Sequence, residues 1–225
     1  MGHKVRPTSM RLGITEDWRS HWFAGKKQFG LYLVEDHKIR SYIKKQYYFA
    51  GISRALIQRT RGKVQVTVLC ARPGLIIGRK GVEVERLKNG LEELTGGSVD
   101  VAIEEVKNPA LDAQLVAEDV AQQIERRTAF RRALRRAAEM TMTAGATGVK
   151  VLIGGRLGGA EMARREKVVM GSLPLQTLRA DIDYGFTEAH TKYGLIGIKV
   201  WVNHGLVGLG EQLAAKEDPE HASDA

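Results

Sequence analysis

Apolar and polar positions change period several times along the chain, and each change predicts a new element. Ile39, Ile43 and Tyr47 stand four apart, which predicts a helix near Asp36 to Ala50 that Gly51 ends. Two strands are predicted next, Ile52 to Arg59 and Lys63 to Ala71, with the tetrapeptide RTRG as a hairpin turn. In the second, Val64, Val66, Val68 and Cys70 alternate with Gln65, Thr67, Leu69 and Ala71, so the cysteine is expected in the core. A short helix then leads into GRKG. Val84, Leu87, Leu91 and Leu94 mark a helix that Gly96-Gly97 terminates, and Val99, Val101 and Ile103 mark a strand with one wet face. Asn108-Pro109 reads as a boundary. Beyond it, one long helix is expected from Asp112 to about Ala144, then a strand beginning at Val149, a hairpin over Gly154 to Leu178, and a last strand from Gly197 to Asn203. The second half thus predicts a helix packed on a small sheet.

Length and charge narrow what these elements are for. The chain has 225 residues, enough for two domains of about 100 residues each. Its formal net charge is +9, and the last fifteen residues, EQLAAKEDPEHASDA, hold five acids against one lysine, so the rest carries +13. Such an excess points to a polyanion, with nucleic acid ahead of a membrane surface. No stretch is apolar for the roughly 18 residues a membrane helix needs. The opening MGHKVRPTSMRLGI lacks the apolar stretch and small-residue cleavage site of a signal peptide, and Arg6 stands where a myristoylation motif needs Ser or Thr. The single cysteine allows no disulfide within the chain and suits a reducing cytosol. Up to about Lys27, basic residues mix with Trp18, Trp22 and Phe23, a composition equally suited to docking on a larger assembly and to folding over its own domain.

Two stretches carry candidate chemistry. In LIIGRKGVEV, Gly78 and Gly81 flank Arg79 and Lys80; glycine permits close backbone approach, and exposed amides with two cations favour a phosphate. A nucleotide-binding loop would need Ser or Thr after the lysine, where Gly81 stands. A G-x-x-G turn between helices beside a three-stranded sheet instead resembles the type II KH domain, whose turn clamps a single-stranded backbone. In ERRTAFRRALRRAAEM, six arginines fall within eleven residues. At about 100° per residue, Phe130, Ala133, Leu134 and Ala137 share a stripe, with Arg131, Arg132, Arg135 and Arg136 on an arc away from it. Arg127 falls in the stripe, so it is expected to be paired or to reach out at an edge. No acid stands between Glu125 and Glu139 to neutralise the arc, which favours a nucleic-acid contact over a solvated face. A second glycine cluster, GGRLGGAEMARRE, offers Arg156, Arg164 and Arg165, although a tight hairpin explains its glycines equally well.

The six histidines are scattered and form no zinc motif. Asp181 and Asp183, with Glu188 and His190, are the one acidic group that a metal-dependent nuclease would use, against a plainer reading as a solvated turn before a helix. No catalytic residue, cofactor or metal is expected.

The blocks MGHKVRPTSMRLGI, ARPGLIIGRKG, ERRTAFRRALRRA, GGRLGGAEMAR, PLQTLRADIDYG and YGLIGIKVW, in that order from Met1 to about Leu206, resemble successive signatures of the bacterial small-subunit ribosomal protein S-three family. The resemblance implies an α+β chain: a basic arm over residues 1–35, a type II KH domain over 36–107, a two-layer α/β domain over 108–209, and an acidic, disordered tail over 210–225. It further implies a cytoplasmic protein of the small-subunit head that contacts small-subunit ribosomal RNA and neighbours the ribosomal proteins S-ten and S-fourteen. With S-four and S-five it would line the messenger entry channel, where Arg131, Arg132 and Arg135 would help to melt structured messenger. Between Arg165 and Leu175 the chain departs from the family, with EKVVMGSLPLQ in place of an aromatic and an Arg-containing turn. A KH regulator acting outside the ribosome and a metal nuclease are the rival readings.

Overall fold

A computed structural model describes residues 4–60 and 63–207, and the acidic tail and the tip of the expected RTRG turn lie outside these residues. The described residues of Met1–Asp17 and Ala110–Ala225 form one compact unit, and Trp18–Pro109 forms another. The basic arm expected over residues 1–35 is, in its described part, divided between the two units.

In the Trp18–Pro109 unit, the two-residue strand β1 (Ser20–His21) precedes helix α2 (Lys26–Gln46), strands β2 (Ile52–Thr60) and β3 (Lys63–Cys70), helices α3 (Pro73–Ile77) and α4 (Val82–Thr95), and strand β4 (Val99–Glu105). Helix α1 (Pro7–Arg11) belongs to the other unit. The sheet order is β1-β2-β3-β4, with β2 and β3 antiparallel and the outer pairs parallel. One strand more than expected is present because a two-residue strand is too short to show a period. Ile39, Ile43, Val66, Val68, Cys70, Leu87 and Leu91 close the core. Burial pushes the Cys70 thiol up from its ordinary pKa. Helix α2 begins ten residues before the expected start. Its early turns leave Phe29, Leu31, Leu33 and Val34 exposed, so no apolar stripe announces them.

A carboxylate fastens the entry segment to this unit. Asp36, 1% exposed, accepts hydrogen bonds from Ser20 Oγ and Trp22 Nε1, both at 2.8 Å, and from Arg59 Nη2 at 2.7 Å. Trp22 packs its ring against Phe29 and Tyr32 at centroid distances of 5.3 and 5.6 Å. Trp22 thus folds over its own unit, whereas Trp18 and Phe23 are 62% and 97% exposed.

In the other unit, α5 (Ala113–Glu125) and α6 (Phe130–Thr143) cover one face of an antiparallel sheet built from β5 (Gly148–Gly155), β6 (Arg164–Gly171), β7 (Ala180–Thr191) and β8 (Gly194–Leu206). The strand order is β6-β5-β8-β7. Val149, Val151, Ile153, Ile196, Ile198, Val200 and Val202 point under the helices. The expected single helix from Asp112 to Ala144 is two helices. Arg126 caps α5, Arg127 turns left-handed at φ 60°, and the Arg127 and Thr128 amides donate to the Ile124 and Gln123 carbonyls at 2.9 and 3.0 Å. That is the paired bonding of a Schellman stop, with arginine where glycine is usual, so composition gave no warning. Arg127 is therefore an exposed junction residue and not part of an apolar stripe.

Strand β7 replaces the expected solvated turn at Asp181–His190. Asp183 is 7% exposed and accepts the Ala113 amide at 2.8 Å, tying the start of α5 to the sheet. A Cβ on Gly185 would lie 2.1 Å from the Ala113 carbonyl oxygen, so only glycine admits this approach. Asp112 caps α5 through the Gln114 and Leu115 amides. Helix α1 is fastened through Arg11, fully buried, whose guanidinium donates to the carbonyls of Ala180, Thr177, Leu175 and Pro7. No helix among the described residues is long and apolar enough to cross a membrane.

Two stability tests follow from these anchors. Arg127→Gly relieves left-handed strain and raises the stability of its unit by about 0.5–1 kcal/mol in denaturant titration; a fall would contradict the stop. Asp36→Ala leaves Ser20 and Trp22 without this acceptor and the Arg59 guanidinium with Glu35, 2.8 Å away, as its one remaining carboxylate among the described residues. The lost hydrogen bonds cost roughly 1–3 kcal/mol and shift Trp22 emission to the red, and an unchanged melting curve would overturn the anchoring role.

Candidate nucleic-acid interface

The G-x-x-G turn joins α3 to α4. Pro73 opens α3, where its missing amide costs nothing, and the Gly78 amide closes it by donating to the Gly74 carbonyl at 3.0 Å. Gly78 takes φ 68°, ψ −174°, a region essentially reserved for glycine, and a Cβ there would lie 2.7 Å from Glu83 Cγ. Gly81 is left-handed at φ 81° with open space where a Cβ would stand. Arg79 is exposed, and of Lys80 only the backbone is described. Leu75, Ile77 and Val82 are 43%, 43% and 49% exposed beside the turn, while Ile76 between them is fully buried. A cationic turn with apolar shoulders can take both phosphates and the less polar faces of sugars and bases.

The α6 arginines meet the expected geometry. Ala133, Leu134, Ala137, Ala138 and Thr141 are buried, whereas Arg131, Arg132, Arg135 and Arg136 are exposed. Glu166 on β6 reaches Arg131 at 3.8 Å, an acid that sequence order does not bring near the helix. Among the described residues no ion pair engages Arg132, Arg135 or Arg136. Arg126 and Arg127 lie exposed where α6 is approached from α5.

The glycine cluster divides. Arg156 is committed to its own loop: Nε donates to the Ala160 carbonyl at 2.9 Å, and the guanidinium lies 5.7 Å from the centre of the Tyr193 ring. Arg164 and Arg165 are exposed on β6. The turn belongs to one unit, and Arg131, Arg132, Arg135, Arg136, Arg156, Arg164 and Arg165 belong to the other. Asp183 is engaged in holding α5, and no group of three or more His, Cys, Asp or Glu suited to a metal ion is present among the described residues. Sequence reasoning passes over Lys150, Lys199 and Trp201. Each stands between two inward-facing apolar residues, a signal for the outer face of a sheet that was there to be read.

Gly78→Ala places a side chain where neither the dihedral nor Glu83 allows one, and it destabilises its unit by about 1–3 kcal/mol. Gly81→Asn, left-handed with free space, stays within about 0.5 kcal/mol of the parent. Equal losses in thermal melts would refute the distinction.

Residues 38–111 match the KH domain family, and residues 120–202 match the family described as ribosomal protein S3, C-terminal domain. The small ribosomal subunit protein uS3 of Finegoldia magna is 55% identical over 214 residues, covering 94% of this chain and 88% of that protein. Its namesake from Rhodopirellula baltica is 54% identical, covering 92% and 90%. The one from Sulfurimonas denitrificans is 50% identical, covering 99% and 93%. The fold is thus the expected α+β arrangement, a KH domain followed by the C-terminal S3 domain. On identity at this level along nearly its whole length, the chain belongs to the small ribosomal subunit protein uS3 family.

Proposed function

We propose that the chain is a structural, non-enzymatic constituent of the small ribosomal subunit in the cytoplasm, binding ribosomal RNA and lining the path by which messenger enters. Family membership supports the ribosomal role. The observation that carries the finer reading is the α6 face. Arg132, Arg135 and Arg136 form no ion pair among the described residues, and Arg131 has one long ion pair, to Glu166, and lies over the Phe130 ring. Side chains three and four apart on a helix are neighbours, so the four arginines form a compact cationic track whose spacing the helix sets. Such a track grips phosphates without reading bases, as a channel that accepts every message requires. Strand separation is then mechanical: the ribosome advances, and the arginines hold the entering strand against re-pairing.

In the same reading the Gly78–Gly81 turn clamps a single-stranded RNA backbone through its amides, with Arg79 and Lys80 supplying charge. The ribosomal proteins S-ten and S-fourteen are the expected neighbours in the head, and S-four and S-five complete the channel wall.

Replacing Arg131, Arg132 and Arg135 together by alanine preserves the fold. All three are exposed, and the one ion pair lost is a surface pair worth about 0–1 kcal/mol. In reconstituted ribosomes with equal subunit occupancy, the variant slows translation through a downstream hairpin more than through an unstructured message. Equal slowing on both messages would indicate general docking, and no slowing on either would remove the arginines from the mechanism.

A further inference from the structure

The sheet of the α5–α6 unit has a second face, turned away from the helices. Strand register sets its outward residues in rows: Lys150 lies opposite Trp201, which lies opposite Tyr184, and in the next row Leu152 lies opposite Lys199, which lies opposite Phe186. A third row pairs Gly154 with Gly197 and Arg165. The face is the floor of a trough of about 1660 Å³, walled on one side by Lys4 to Pro7 of the same unit. That volume exceeds the roughly 300–1,000 Å³ of a small-molecule pocket and suits a segment of a polymer.

We propose that this trough is a further binding surface for single-stranded RNA, in which Lys150, Lys199 and Arg165 meet phosphates while Trp201, Tyr184 and Phe186 receive bases. The proposal rests on the RNA-binding character of the family and is independent of the α6 reading.

Charge is the first support. Six lysines and arginines line the trough and no carboxylate does, although the whole chain holds 26 acids to 35 bases. The cations crowd one another. The Lys150 ammonium is held below its ordinary pKa, first by burial and then by the nearby Lys4 and Lys167. In the free chain the ring faces take the place of an anion: Lys150 Nζ lies 4.8 Å from the Trp201 centroid, the Arg6 guanidinium 5.2 Å from Tyr184, and Lys199 Nζ 6.0 Å from Phe186. A phosphate that draws Lys150 away uncovers a ring on which a base can stack.

The glycines give the second support. A Cβ on Gly197 would meet nothing nearer than 3.9 Å, and one on Gly154 would make only an ordinary contact with Arg165 Cγ at 3.4 Å. Neither glycine is required by internal packing, and both take ordinary strand dihedrals rather than positive φ. Paired side by side, they leave bare backbone at the trough floor, where another molecule can come close. An acidic peptide would need the cations alone. Aromatic rings on an open four-stranded antiparallel sheet are instead how such sheets take unstacked bases.

The test uses the full chain and a 5-bromouridine-substituted oligouridylate. Photo-crosslinks are expected on peptides containing Tyr184, Phe186 or Trp201. In a background carrying Arg79→Asp and Lys80→Asp with Arg131, Arg132 and Arg135 replaced by Ala, the oligonucleotide still binds. Adding Lys150→Glu and Lys199→Glu weakens that binding about tenfold and lowers the log–log salt slope by about 1.4, two phosphate contacts' worth. Crosslinks confined to α6 and the Gly78–Gly81 turn, loss of all binding in the background variant, or equal competition by an oligoglutamate of the same charge would overturn the proposal. A failure of the α6 reading would appear only in hairpin translation and would leave the crosslinks intact.

Discussion

Helix α6 carries like charges on one side because its other side is buried. Arg131 with Arg135, Arg132 with Arg136, and Arg132 with Arg135 are three neighbouring pairs at helical spacing. At roughly 0.2–0.5 kcal/mol for each exposed like-charge pair, their repulsion totals about 1 kcal/mol. Burying Leu134 alone contributes about 1.5–3 kcal/mol, and Ala133, Ala137 and Ala138 bury beside it. The helix can therefore display concentrated positive charge without help from neutralising acids. Beside Leu134 the buried positions are the small Ala133, Ala137, Ala138 and Thr141, so α6 can lie close to its sheet.

That seat depends on where α5 stops. The left-handed Arg127 ends α5 and frees α6 to take its own direction, and Asp183 with Gly185 fixes the opposite end of α5 on β7. The inward face of the same sheet is spent on the two helices, while its outward face carries Lys150 and Lys199 among the rings of Trp201, Tyr184 and Phe186. In the KH unit the comparable fastening is Asp36, which gathers Ser20, Trp22 and Arg59 and holds the entry segment on α2. The turn at Gly78 then offers its backbone on a settled frame.

Much of this was legible where one face of an element is buried and the other wet. Val64 to Cys70 and Val149 to Ile153 show clean alternation, and the arc of the α6 arginines follows from helical angle alone. Legibility failed where tertiary contacts override pattern. Asp183 points inward because it meets an amide of α5, and a register shift between Asp181 and Ile182 interrupts the period, so β7 resembled a polar turn. Arg127 occupies a conformation that sequence associates with glycine, which hid the break between α5 and α6. The first turns of α2 expose their apolar residues, so periodicity could not find them. For the site, the cations of the Gly78–Gly81 turn and of α6 stood out as clusters, whereas Lys150, Lys199 and Trp201 are scattered in sequence and become neighbours only through strand pairing.

In the proposed function the α6 face lies against messenger within the small subunit. Cys70, the chain's one cysteine, is fully buried with its thiol pKa raised, so a cysteine introduced at the exposed Ala129 just before α6 can be labelled selectively with a tethered iron chelate. Hydroxyl radicals generated there, in small subunits holding a positioned message, should cut the message on the downstream side of the decoding position. Cuts confined to ribosomal RNA, with the message untouched, would contradict the account.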